Sequence, residues 1–169
     1  MVERVLRDGS RVLIRPIRPS DKDELAAGLH RLSERSVHLR FLTPKPSFSK
    51  GELRYLTEVD GRNHVAFVAV RPERPDTIVA VARYVALGDA AGTAEAAIVV
   101  ADPLQRLGLG TILADELAHE AVRNGVRRFS ATMLSENRAA HRLMTRLSAP
   151  LERRHGGSGQ DELVIELAA

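Results

Sequence analysis

The sequence predicts a mixed α/β (α+β) domain: a mostly antiparallel sheet of about seven strands, with one parallel pair, flanked by helices. Three observations predict it. Short apolar, β-branched runs recur between clusters of turn residues. Amphipathic helical stretches separate the later runs. The run Arg128–Leu134 is entered from a helix that itself follows the run Ala94–Val100, and such a crossover makes those two runs parallel neighbours. No repeat, linker or composition break divides residues 1–169, so one domain is expected, long enough to bury a sizeable core.

Arg11-Val12-Leu13-Ile14-Arg15 reads as the first strand, ended by Pro16 and Pro19. Ser20 is placed to cap a helix whose stripe is Leu25, Leu29 and Leu32, with Asp23 as a weak capping box. A second helical piece runs from Glu34 to Phe41. After the loop Thr43–Ser47, Ser49 and Glu52 make a better capping box for a short helix with Leu53 and Leu56. Strands follow at His64–Val70, Thr77–Leu87 and Ala94–Val100, the last two joined by a turn at Gly88-Asp89-Ala90-Ala91-Gly92. The helix after Gly110 puts Leu113, Leu117 and Ala121 on one face, and Gly125 is placed to stop it in a left-handed conformation. After the strand Arg128–Leu134, Ser135-Glu136-Asn137 starts a helix striped by Ala140, Leu143, Met144 and Leu147. A hairpin turning at Gly156–Gly159 closes on Leu163–Leu167.

Composition excludes several classes. Without cysteine there is no disulfide and no thiolate metal site, which suits a reducing compartment. Met1–Asp8 alternates charge and apolarity, unlike a signal peptide, and no apolar run reaches spanning length, so the expected address is cytoplasmic, with no membrane partner. The pI near 9.8 invites a nucleic-acid reading. The net charge is only +3, however, the basic residues are scattered and aromatics make up 4% of the chain, so no nucleic-acid partner is expected. His30, His38, His64, His119, His141 and His155 show no ligand spacing with carboxylates, and no metal is expected.

The chemistry concentrates in Gln105-Arg106-Leu107-Gly108-Leu109-Gly110-Thr111, where an apolar strand passes through a turn into a helix. Gly108 and Gly110 allow close approach of a ligand to the backbone, and the unpaired amides of the helix's first turn favour a phosphate. The dinucleotide-binding fingerprint fails because Leu113 stands at its third glycine. A P-loop fails because Thr111-Ile112 follows the last glycine.

What remains resembles the Gln/Arg-x-x-Gly-x-Gly/Ala acetyl-CoA signature of the GNAT acyltransferases, and the order of elements agrees from about Arg7 to Leu167. A finer resemblance is to the bacterial protein lysine acetyltransferases of the Pat type. It rests on Arg15–Asp21, Leu32–Ser36, Arg40-Phe41, Asp60–Ala66 and Ala94–Asp102. There are departures. Members of this type often carry a fused cyclic-nucleotide or acyl-CoA-synthetase-like domain, and these residues hold neither. Met144 stands where many relatives place a tyrosine able to protonate the leaving thiolate, and Ser148-Ala149 replaces the usual Gly-Phe.

The resemblance implies an acetyl-CoA-dependent N-acyltransferase acting on a primary amine or a protein lysine, as a monomer or homodimer. It implies that the central parallel pair splays, that Ile98, Val99 and Val100 pair with the pantetheine arm, and that the Val100 amide stabilises the oxyanion. It further implies that the loop from Gln105 through Arg106, Leu107, Gly108, Leu109 and Gly110 to Thr111 grips the pyrophosphate through its amides. Asn137 matches a position that contacts the cofactor, with a plain helix start as the competing reading. Glu95 is the expected general base. It stands among Ala94, Ala96 and Ala97, where a carboxylate is out of keeping, and partial burial is expected to raise its pKa; a solvent-facing strand-end glutamate is the alternative. His64 and Asp60 stay open between an acceptor-side and a structural role. Two other functions also stay open: a small-molecule amine N-acetyltransferase and a non-catalytic acyl-CoA-binding module.

Overall fold

Burial of alternate residues in Arg11–Pro16 (β2), with Val12 and Ile14 inward, fixes the sheet's first long pairing. The computed structural model describes residues 1–88 and 92–168. Eight strands form one sheet in the order β1-β2-β3-β4-β5-β6-β8-β7. They are Val2–Val5 (β1), β2, His64–Arg71 (β3), Arg74–Ala86 (β4), Thr93–Val100 (β5), Arg128–Leu134 (β6), Pro150–His155 (β7) and Gln160–Glu166 (β8). All neighbours are antiparallel except β5 and β6. The sequence leads to seven strands; the eighth is β1, an edge strand that pairs Val2 with Ile14. It is mostly exposed, so burial imposes little apolar periodicity on it. The β4–β5 turn expected over Gly88–Gly92 falls at Asp89–Ala91 outside the described residues.

Five helices cover the two faces: Lys22–His30 (α1), Glu34–Phe41 (α2), Lys50–Thr57 (α3), Leu109–Arg123 (α4) and Arg138–Leu147 (α5). On one face Leu109, Leu113 and Leu117 of α4 pack with Met144 of α5 on Tyr84 and Phe129. On the other, Leu25 of α1 and the half-buried Leu53 and Leu56 of α3 pack on Ala66, Val68 and Val81. The capping box of α3 forms in both halves, with Ser49 N–H donating to Glu52 at 2.8 Å and Glu52 N–H to Ser49 Oγ at 3.1 Å. Gly125, at φ +84, follows α4 as expected. Ser20 does not cap α1. Asp21 takes over the helix start because its carboxylate is drawn into a buried two-bond ion pair with Arg15 (2.8 Å each) and accepts Arg18 N–H at 2.7 Å. No helix among the described residues is long and apolar enough to cross a membrane.

Candidate active site

β5 and β6 part company within the sheet. Their parallel pairing covers Thr93–Glu95 against Arg128–Ser130 and then stops, while β6 continues to pair with β8 as far as Leu134. On its other edge β5 stays paired with β4, and Ala101 N–H bonds Val79 O at 2.8 Å. Antiparallel bonds alternate, so Glu95, Ala97 and Val99 spend their backbone groups on β4, and Ala96, Ile98 and Val100 turn theirs toward the gap. The Val100 carbonyl is occupied by Gln105 Nε2 at 3.0 Å. Ile98 N–H and C=O and Val100 N–H therefore line the gap as a strand edge unpaired among the described residues. Val99, expected to share in this, faces the opposite way: its backbone serves β4 and its side chain lines an apolar cavity with Leu29, Leu32, Phe41 and Phe48.

The gap opens onto the loop before α4. Two residues there adopt left-handed backbone, Arg106 at φ 64 and Gly108 at φ 93. The reversal leaves six successive amides, from Arg106, Leu107, Gly108, Leu109, Gly110 and Thr111, with no acceptor among the described residues; the first helical bond is Ile112 N–H to Gly108 O at 3.1 Å. Three of the six form the first turn of a 15-residue helix, whose dipole adds positive potential. A Cβ at Gly110 would meet only the Val100 side chain, at 3.8 Å, so its absence leaves room between helix and strand. These features fit a diphosphate and an extended arm running into the gap. Gln105 holds the loop rather than facing it, since Nε2 also donates to Ser36 Oγ of α2 at 3.0 Å. The Leu109 side chain is fully buried, so only its amide is on offer.

Arg7, which no sequence signal picked out, stands beside this cradle. Its N–H donates to Leu107 O at 3.0 Å, and its Nε lies 3.6 Å from where a Cβ on Gly108 would sit. The β1–β2 turn delivers it, and only the fold shows that.

Glu95 sits on the α1–α3 face of the sheet, across from Val85. It is exposed, not partly buried, and β6 diverges just beyond it. Next to it on this face are Arg83, which is buried, and His64, whose Nε2 lies 3.1 Å from Arg83 Nη1. Burial and the Arg83 charge pull the His64 imidazole below its ordinary value, so it is neutral at pH 7 and its Nε2 accepts. Tyr55 packs against that ring, its centroid 4.8 Å away and its plane tilted by 42°, and is itself exposed. Asp60 is structural: one of its oxygens accepts the amides of Arg62, Asn63 and His64, each at 2.8 Å, which holds its carboxyl below the usual range.

On the far side of the gap, Asn137 caps α5, its Oδ1 accepting Ala140 N–H at 3.2 Å. Its Nδ2 makes no bond among the described residues. Met144 is buried beneath α5. His155 and Ser135 donate to the fully buried Asp161 at 2.6 and 2.9 Å, and Arg153 does so at 3.0 Å. Burial pushes that carboxyl up, but these bonds outweigh it and hold it at about 2. Among the described residues no three His, Cys, Asp or Glu side chains are grouped to hold a metal ion.

Comparison with known proteins gives consistent matches. Residues 34–148 match the model of the acetyltransferase (GNAT) family. An acetyltransferase of Pseudomonas aeruginosa is 37% identical over 147 residues, 86% of this chain and 76% of its own. Acetyltransferase Pat of Mycolicibacterium smegmatis is 33% identical over 144 residues, and there the match spans 85% of this chain but only 43% of Pat. The crystal structure of the GNAT domain of S. lividans PAT superposes with a TM-score of 0.85 at 26% identity, covering 98% of this chain and 96% of that one.

Proposed function

The chain belongs to the GNAT acetyltransferase family, and from that premise we propose that it moves the acetyl group of acetyl-CoA to the side-chain amine of a protein lysine. The observation that carries the cofactor half is the run of six unpaired amides from Arg106 to Thr111 opening into the β5–β6 gap. The cofactor supplies an activated thioester. In this reading the loop amides hold its diphosphate. Ile98 and Val100 bond its extended arm as an added strand, and the Val100 N–H sits where charge develops on the carbonyl oxygen. Asn137 Nδ2 remains free to add a contact from the other wall. Two of the residues expected at this site do other work: Val99 packs on the opposite face, and Gln105 anchors the loop.

Glu95 takes a proton from the incoming ammonium, directly or through water, so that the free amine attacks. Its exposure puts the base on an open face rather than in a closed pocket, and the exposed ring of Tyr55 widens that face. An open face suits a lysine carried on another protein better than a small free amine. Met144 has no proton to give, so the leaving thiolate takes its proton from water.

The test joins mass spectrometry of lysate proteins incubated with isotope-labelled acetyl-CoA to a Glu95→Gln variant. Wild-type protein is expected to label lysines. Glu95→Gln is expected to bind acetyl-CoA with unchanged affinity while kcat falls ~10²-fold or more. Undiminished turnover in the variant removes Glu95 from the mechanism. Labelling confined to small amines removes the protein acceptor.

A further inference from the structure

Strand register sets two rows of side chains next to each other on the α1–α3 face. His64, Val85 and Glu95 form one row across β3, β4 and β5; Ala66, Arg83 and Ala97 form the next. Arg83 and Glu95 are thus diagonal neighbours, about 7–8 Å apart along the backbone. Its neighbours in that row, Ala66 and Ala97, offer the Arg83 guanidinium no polar partner. The side chain is 6% exposed, yet its partners are neutral: His64 Nε2 at 3.1 Å and Leu56 O at 3.2 Å. Two of its five N–H donors are used, and no carboxylate pairs with it among the described residues.

A second arginine stands on the neighbouring helix α2, which packs against β5. Arg40 of α2 is half-buried and makes no ion pair among the described residues. Its charge bears on both neighbours. It helps burial pull the Arg83 guanidinium down to about 10, and it is itself pulled down by burial while Glu95 works to keep it charged. A guanidinium keeps its proton in a protein, so both arginines bring a positive charge. With Glu95 the cluster carries one net positive charge beside the proposed base. Burial without a counter-ion is costly for a charge, and a guanidinium fork is shaped to receive a carboxylate in two bonds.

We propose that Arg83 and Arg40 receive a carboxylate carried by the acceptor, placed within side-chain reach of the amine that Glu95 deprotonates. This rests on the transferase reading above and adds a substrate class to it. The shared chemistry is an amine with a nearby carboxylate, either a lysine beside an acidic residue or a free amino acid.

The test measures acetyl transfer from acetyl-CoA to matched acceptors. One set is lysine peptides with Glu or Gln at each flanking position; the other is free amino acids and their amides. Wild type is expected to favour the acidic member roughly tenfold or more in kcat/KM, the scale of one charge-assisted hydrogen bond. Arg83→Gln and Arg40→Gln are expected to bring the ratio toward one, mainly through KM, with Arg40→Lys retaining part of it. The set that shows the preference tells a flanking side chain from a free amino acid. Equal turnover of acid and amide by wild type overturns the proposal. Failure to acetylate any acceptor overturns instead the transferase reading, and a second measurement then decides on the site. Succinate at fixed ionic strength should raise the Tm of wild type and not of Arg83→Gln, and an unmoved wild type overturns the carboxylate site.

Discussion

Arg7 shows how much of the proposed cofactor site can come from a residue with no motif of its own. Its backbone fixes the loop by donating to Leu107 O, and its side chain runs along Gly108, beside the six amides without an acceptor among the described residues. The two roles separate by mutation, since alanine keeps the amide and removes the guanidinium. Arg7→Ala is expected to raise the KM for acetyl-CoA by roughly 3- to 10-fold and leave kcat unchanged. That range suits an exposed charge acting on a phosphate, and the difference should shrink in high salt. A salt-independent loss would place the effect in packing instead. Glu95 carries the complementary lesson. Its small apolar neighbours made a half-buried carboxylate the natural expectation, but burial depends on the adjacent strand, and β6 diverges just there. Arg83 carries no signal of its own for a related reason: an arginine alternating with apolar residues reads as a solvent-facing position, and only the register across three strands shows what lies beside it.

At the scale of elements, the turn from β5 into α4 depends on two glycines for different reasons. Gly108 sits at φ +93, which a side chain tolerates poorly; Gly110 lies within the helix, where alanine is the better residue. Gly108→Ala should therefore cost about 1–2 kcal/mol in urea unfolding. Gly110→Ala should gain up to about 0.5–1 kcal/mol. Both should raise the KM for acetyl-CoA, the second because its methyl projects toward Val100 into the space left for the ligand. A stabilised Gly110→Ala with unchanged KM would detach that glycine from the site. Elements whose signals are local were legible. The Ser49–Glu52 box, the Asn137 cap and the Gly125 stop all act within four residues, and each forms. The start of α1 was not, because Asp21 answers to Arg15 on another element rather than to its own helix. The edge strand β1 is not legible because its pairing is decided by β2 more than by its own apolar pattern.

In the whole molecule, the sheet separates the layer of α4 and α5 from the layer of α1 to α3, and one polar chain ties them at the strand end. Asp102 accepts Ser33 N–H at 3.0 Å, Ser33 Oγ at 2.7 Å and Ser36 Oγ at 2.8 Å; Ser36 in turn accepts from Gln105, which also holds Val100 O. The start of α2 and the loop before α4 are thus fastened to one carboxylate. Burial pushes that carboxyl up, but the serine bonds outweigh it and leave it below 3.8. Asp102→Ala should cost about 1–3 kcal/mol, the scale for hydrogen bonds to a charged group, and should raise the KM for acetyl-CoA although Asp102 itself need not touch the ligand. Ser36→Ala should do less, and the double variant should fall short of the sum, because both residues belong to one network. The pH dependence follows from the sign of the shift. A carboxyl held lower in the folded state contributes fully above its unfolded value and loses that contribution as pH falls through the folded one. The stability gap between wild type and Asp102→Ala should therefore be constant from pH 7 to about 5 and narrow below about 4. A gap that persists undiminished to pH 2 would mean that Asp102 holds the layers together by shape rather than by charge.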